Sequence, residues 1–267
     1  MPGALPHPLK RAIEVSIKKI LVSQPKPDTE KSPYFEIAEK YGVEIVFRPF
    51  IKVEGLSVKD FRAQKINIAD YTAIIFTAKT AIDNFFRLAE ETRVNIPDTQ
   101  KYFCSSESIA HYLQKYIVYR KRKIFASKTG KLADIIPSMV KHKTEKYLFA
   151  VSDVHNGKDS ALLADSKVNF TPAVMYRTVS NDFAPDEPFD YDMLVFFSPQ
   201  GIQSLLKNFP DFKQGEIAIA TFGATTTKAA TDAGLRVDVA APSPEAPSMT
   251  QAIDNYLAKV QPPQNAE

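Results

Sequence analysis

Residues 216–241 read EIAIATFGATTTKAATDAGLRVDVAA. The apolar run 217–221 is long enough for one buried strand. Phe222-Gly223 breaks it, and threonines follow at 225, 226 and 227. Residues 228–233 have helical composition and stop at Gly234, where a helix C-terminal glycine belongs. Residues 235–241 start the next strand. Strand, glycine turn, helix and strand form the repeating unit of a parallel α/β sheet. The turn offers backbone N–H groups at a helix N-terminus together with hydroxyls, a seat for an anion. Ligands of open α/β sheets bind at the carboxyl ends of the strands, where this turn must lie. The competing reading is that the threonines only cap the helix.

The same alternation runs outward in both directions. Strands are expected at 20–23, 43–50 with an extended continuation to 53, 73–77, 102–104, 124–127, 146–151, 168–178 and 192–197. Helices are expected at 32–40, 58–64, 80–91, 106–115, 131–140, 160–165, 201–207 and 249–259. Residues 1–15 read as a Pro-rich arm and 260–267 as a polar tail. Strands alternating with helices argue for parallel sheets covered on both faces.

The segment 76–86, FTAKTAIDNFF, is echoed by 196–206, FFSPQGIQSLL. Each is a strand end, a small polar turn, and a helix closing on paired apolar residues. A fainter echo links 106–113 with 223–230. Two similar α/β lobes are the simplest account; convergence of common βα-turn chemistry is the other. The extended stretches 50–53 and 173–178 flank the middle third and suit a two-stranded ladder. The first lobe would then be 1–49 plus 179–267, and the second 54–172.

Bulk properties narrow the class. A chain of 267 residues accommodates two domains. With 44% hydrophobic and 24% charged residues, the composition is that of a globular protein. No apolar run approaches the roughly 20 residues of a membrane helix, and 1–20 lacks an apolar signal core. The single cysteine, Cys104, excludes an internal disulfide and a Cys-rich metal site. His7, His111, His142 and His155 have no ligand spacing. These features lead us to expect a cytoplasmic, metal-free protein without a membrane partner. Net charge is +3, but 115–123, KYIVYRKRK, concentrates it. That run could contact nucleic acid or an acidic ligand; with no aromatic nucleic-acid motif nearby, we read it as a solvated loop and expect no nucleic-acid partner.

Ser152-Asp153-Val154-His155 brings a hydroxyl, a carboxylate and an imidazole together. Members of a hydrolytic triad converge from separate elements, so we read it as a loop. Neither GxSxG nor a P-loop motif is present.

The order and spacing of these turns resemble the uroporphyrinogen-III synthase family over nearly the whole chain. The likeness is carried by ILVS (20–23) with Pro25, Gly42 to Phe50, IIFTAKTAIDNFF (74–86), VMYRTV (174–179) and VFFSPQGIQSLL (195–206). It continues through IATFGATTTKAATDAG (219–234) into VDVAAPSPEAPSMTQAI (237–253). The chain departs from the family pattern at Gln24, Ala78, Ser106 and Ala224, which marks it as a divergent member.

The resemblance implies two flavodoxin-like lobes joined by a two-stranded ladder. It implies a lyase that closes the linear tetrapyrrole hydroxymethylbilane into uroporphyrinogen III in haem biosynthesis. Ring D is inverted through a spiro intermediate and water is lost, with no metal or cofactor. The family's ladder tyrosine corresponds to Tyr176, expected as proton donor to the departing hydroxyl; its other reading is a strand aromatic that only packs. Substrate contacts are expected from Thr77, Lys79, Ser106, Ser198, Gly223, Thr225 and Thr226. Helix N-termini suit a substrate bearing carboxylates on every pyrrole. Lys128, Arg177 and Lys228 could add charge, although each lysine also reads as an ordinary solvated side chain. Nothing in the sequence suggests an obligate interface, so a monomer is expected. Two other classes compete. One is a non-catalytic two-lobe binding protein for an anionic small molecule. The other is a sugar-phosphate isomerase-like protein, for which no convincing base can be placed.

Overall fold

The computed structural model describes residues 16–29, 31–155, 157–261 and 263. The Pro-rich arm, His7 and most of the polar tail lie outside them. The chain begins β1 (Lys19–Val22), α1 (Pro33–Tyr41), β2 (Glu44–Phe47) and β3 (Ile51–Gly55). Next come α2 (Val58–Ala63), β4 (Ala73–Phe76), α3 (Lys79–Glu91), β5 (Lys101–Cys104) and α4 (Glu107–Tyr112). They lead into β6 (Ile124–Ala126), α5 (Ile136–Lys141), β7 (Tyr147–Ser152), α6 (Gly157–Asp165) and β8 (Phe170–Ser180). The last part is β9 (Met193–Phe196), α7 (Pro199–Asn208), β10 (Ala218–Phe222), α8 (Ala224–Asp232), β11 (Val239–Ala241) and α9 (Met249–Val260).

These elements form two compact units. One takes the residues up to Lys52 and those from Ser180 onward; the other is Val53–Val179. The chain passes between them twice, within β3 and within β8. The first unit holds a parallel sheet in the order β2-β1-β9-β10-β11. By position in that unit this is 2-1-3-4-5, the flavodoxin order. The second unit holds β6-β5-β4-β7-β8, also parallel, with β3 outside β8. Its parallel strands run 3-2-1-4-5, the other doubly wound order. Two α/β units with parallel sheets are what the alternation of strand and helix signals led us to expect.

The strands explain themselves by burial. Parallel strands covered on both faces need apolar side chains at every position. β4 (AIIF) and β9 (MLVF) are buried throughout. Alternate residues then serve opposite cores. In the second unit Ile74, Phe76 and Leu148 face one cluster, and Ala73, Ile75 and Phe149 the other. In the first unit Ile20, Val22 and Val195 oppose Leu21, Leu194 and Phe196.

Several boundaries differ from expectation for identifiable reasons. The strand expected over 43–50 ends at Phe47. Arg48 N still donates to Val22 O (3.0 Å), but Pro49 has no N–H to continue the ladder. The helix expected over 131–140 is a 3-10 turn, Leu132–Ile135, followed by α5, which carries Pro137 in its first turn. The strand expected over 235–241 shrinks to β11, an edge strand bonded only to β10.

Within the first unit, Arg48 binds the returning chain. Its Nε and Nη2 meet Glu187 (2.5 and 3.0 Å), and it donates to the carbonyls of Pro49 and Asn181 (both 2.9 Å) and Asp182 (3.0 Å). Its guanidinium also lies 3.5 Å from the centre of the Phe183 ring. Arg48→Met is expected to lower unfolding free energy by about 2–3 kcal/mol, because it strands these acceptors. The Arg48 partnership holds the Glu187 carboxyl below its ordinary value. A lowered folded-state pKa stabilises above the unfolded value of 4.5, and that contribution disappears as pH falls through the folded value. Urea melts between neutral pH and pH ~3 should show a shallower acid loss in Arg48→Met; parallel curves would mean that the pair adds no pH dependence.

Candidate functional site

The strand ends carry the polar groups. In the second unit, β7, β4 and β5 are parallel neighbours. At their carboxyl ends stand Ser152-Asp153, Thr77-Ala78 and Ser105-Ser106, with Ser127 after β6. This rim of hydroxyls lies where open parallel sheets bind ligands. In the first unit, the carboxyl ends of β1, β9 and β10 lead into Ser23, Phe197-Ser198 and Gly223.

Two of the expected serines are helix caps. Ser198 Oγ accepts from Gly201 N (3.2 Å) at the start of α7, and Ser106 Oγ from Ile109 N (3.3 Å) at the start of α4. A capping hydroxyl uses one lone pair, so its own O–H stays available to a ligand. Ala78 caps α3 with φ −148° and ψ 147°, close to the −152° and 152° of Ser198. The two strand-to-helix turns of the sequence echo therefore share a backbone, but Ala78 has no polar side chain with which to cap α3. Thr77 stands half-buried just before that turn. Lys79 is the first residue of α3, exposed, with its ammonium 5.5 Å from the Tyr112 ring centre.

The glycine turn departs from its sequence reading. The helix expected at 228–233 starts at Ala224, so the three threonines lie within its first turns. Gly223 is the N-cap at φ 89° and ψ 143°, a conformation essentially confined to glycine. No side chain caps α8. Gly223 O instead accepts from Thr226 N (3.1 Å), Thr227 N (3.0 Å) and Thr227 Oγ1 (3.2 Å). Thr225 is exposed, whereas Thr226 is buried with 1% exposure. The paired contact expected from both threonines thus divides: Thr225 faces solvent and Thr226 belongs to the packing. Thr225→Ala should weaken binding of a polyanionic tetrapyrrole about five-fold, equivalent to ~1 kcal/mol, without moving the Tm. Thr226→Ala should do the reverse, costing about 1 kcal/mol of stability for the lost buried methyl. Equal affinity in Thr225→Ala and wild type would remove Thr225 from the site.

Tyr176 stands on β8 at a register shift. Val151 pairs with Val174, but Ser152 pairs with Tyr176, so β8 carries one extra residue there. A bulge of this kind re-aims the side chains beside it. Asp153 clamps the place: Asp153 N donates to Tyr176 O, and Thr178 N donates to Asp153 Oδ1 (both 3.1 Å). The Tyr176 ring is half-buried against the Phe76 side of the core. Burial, and then the negative charge of Asp153, raise its phenol above the ordinary value, while a hydrogen bond with Ser152 pulls the other way. The phenol is therefore a neutral donor throughout the physiological range. Ser152 and Asp153, read as a plain loop, are the polar groups that act on this phenol. His155 Nδ1 lies 3.0 Å from Ser152 O. Nothing in the sequence signals the pairing of Ser152 with Tyr176, because it crosses between strands.

Of the other expected cations, Arg177 is paired with Glu54 (2.9 Å) and Lys228 with Asp232 (2.6 Å). Lys128 is exposed just after β6. Among the described residues no helix is long and apolar enough to cross a membrane.

Comparison with known proteins now decides the family. The model for uroporphyrinogen-III synthase HemD matches residues 32–251. The chain belongs to the uroporphyrinogen-III synthase family. It is 25% identical to the uroporphyrinogen-III synthase of Schizosaccharomyces pombe, covering 83% of this chain and 90% of that protein. It is 22% identical to the uroporphyrinogen-III synthase of Chlorobaculum parvum, covering 90% of this chain and all of that one. The crystal structure of uroporphyrinogen-III synthetase from Helicobacter pylori shares its fold, with a TM-score of 0.53 at 16% identity over 91% of this chain and 100% of the other. Family membership does not favour the non-catalytic binding-protein alternative.

Proposed function

We propose that the protein is a cyclising lyase that converts hydroxymethylbilane into uroporphyrinogen III in haem biosynthesis. The observation that carries this is the family match over 32–251, which takes in the whole second unit and most of the first. Loss of the terminal hydroxyl as water leaves an azafulvene cation. Ring D attacks through its already substituted carbon, and the spiro intermediate fragments and recloses with the ring inverted. The free substrate closes unaided to the uninverted isomer, so the protein's main task is to hold the rings in the geometry of the inverting route.

Tyr176 is assigned as donor to the departing hydroxyl. Its proton leaves with the hydroxyl as water, and the proton released from the pyrrole carbon at ring closure restores the phenol. A general acid of this kind adds to positioning. Ser106, Ser198, Thr77, Thr225, Lys79 and the Gly223 turn are assigned to the substrate carboxylates. Their support is position: each lies at the carboxyl end of a parallel strand or in the first turn of the helix that follows. The chemistry needs no metal or cofactor. We read the protein as a cytoplasmic monomer with no nucleic-acid partner, for which sedimentation as a single chain is expected and a dimer would overturn the monomer.

The test supplies purified protein with hydroxymethylbilane made in place from porphobilinogen. The products are oxidised and the porphyrin isomers separated. Predominantly isomer III is expected. Isomer I alone, as in the protein-free control, would overturn the assignment.

A further inference from the structure

Tyr176 faces the Phe76 side of the core because β8 breaks step. Side chains on a strand alternate between its two faces. Ala173 and Met175 pack in the cluster around Phe76, so strict alternation would send Tyr176 to the opposite face. It packs against the same cluster instead. The carbonyls show where the step is broken. In a regular strand, successive carbonyls point to opposite neighbours. Here Val174 O and Met175 O both bond on the β3 side, to Gln64 and Leu56, and Tyr176 O turns to Asp153 N (3.1 Å) after β7.

A bulge of this kind disrupts the ladder, and backbone groups left unpaired inside a protein are costly. One side chain meets most of that demand. Gln64, the C-terminal cap of α2, donates from Nε2 to Val174 O and accepts from Val174 N at Oε1 (both 2.9 Å). Its amide thus stands where the peptide group of a neighbouring strand would be. Leu56 N, just past the end of β3, donates to Met175 O (2.9 Å). The helix that carries Gln64 is itself fixed. Phe61 is buried in the Phe76 cluster, and Gln64 N donates to Phe61 O (3.1 Å). Among side chains of this length, only glutamine offers a donor and an acceptor on one flat group.

We propose that Gln64 is a positioning residue for the ring-inverting reaction, its side-chain amide holding the bulge of β8 that turns Tyr176 toward the Phe76 side of the second unit. This rests on the reading of Tyr176 as the proton donor. Gln64 acts on the backbone two residues before Tyr176 and needs no contact with the tetrapyrrole.

The test compares the full chain with Gln64→Met, which keeps the length and removes both bonds, and with Gln64→Glu, which keeps an acceptor but loses the donor to Val174 O. In Gln64→Met, kcat should fall about ten-fold, as for a small misplacement of a reacting group, with KM unchanged and a larger share of isomer I. The ¹³Cε–¹Hε NMR peak of the Tyr176 ring, assigned as the one missing from Tyr176→Phe, should move in both Gln64 variants. Added to Tyr176→Phe, Gln64→Met should lower kcat by less than about two-fold, because residues that act as a unit are not additive. Ser57→Ala controls for simple loosening, since it removes the cap that Ser57 Oγ gives to Asp60 N (3.0 Å) at the other end of α2. It should lower the Tm without moving the Tyr176 peak or kcat. An unmoved Tyr176 peak in both Gln64 variants would overturn the inference, as would an equal fold loss of kcat in the wild-type and Tyr176→Phe backgrounds. Wild-type turnover in Tyr176→Phe would instead overturn the donor reading, and the ring peak would still decide whether Gln64 holds the bulge.

Discussion

Tyr176→Phe is expected to lower kcat about 100-fold while leaving the fold intact. General acids typically contribute 10²- to 10⁴-fold. A phenol raised above its ordinary value by burial and by Asp153 is a weak acid, which places it at the low end of that range. The isomer ratio gives a second readout. A slowed enzyme competes less well with spontaneous closure, so the share of isomer I should rise. Removing the hydroxyl also breaks the contact with Ser152, at a cost of about 1 kcal/mol or less. The pH dependence follows from the direction of the shift. The donor form is the protonated phenol, which persists to higher pH than an ordinary tyrosine. No alkaline loss of activity should therefore arise from Tyr176 between pH ~7 and ~9. Normal turnover with a large fall in Tm would leave Tyr176 with packing alone.

Phe196→Ala should cost about 4 kcal/mol, within the usual range for a buried phenylalanine. The ring has no exposure, and its centroid lies 5.1 Å from that of Phe50. It also supports the turn that carries Ser198: a Cβ built on Gly201 would meet Phe196 Cδ1 at 3.2 Å. Loss of the ring leaves a cavity beneath the first turn of α7. A Tm drop of about 10 °C is expected, with weaker tetrapyrrole binding as the Ser198 turn loosens. Phe197, next in the chain, is only partly buried and packs with the opposite core. Phe197→Ala should cost less than half as much. Equal Tm values for Phe196→Ala and wild type would mean that the turn does not rest on the ring.

The Ser198 turn and the Gly223 turn show what could be read before any coordinates. FSPQG places a small polar residue ahead of a proline that can open a helix, so an N-cap at 198 is local chemistry. Gly223 likewise follows from local backbone demand, since its φ of 89° suits few other residues. The threonines after it were harder. Three β-branched residues look like a loop, yet they begin α8 because Gly223 O collects two backbone bonds and the Thr227 hydroxyl.

The sequence by itself determined the alternation of short apolar strands with amphipathic helices, and hence two parallel α/β sheets. Periodicity and turn chemistry act over a few residues, and they survive in any tertiary context that buries both faces of a strand. Only the tertiary structure decided the strand orders, which of two adjacent threonines is buried, and the bulge that sets Tyr176 against Ser152 and Asp153. These depend on pairing between distant segments, such as 151–153 with 174–178, whose register is fixed by neighbours that no local pattern specifies.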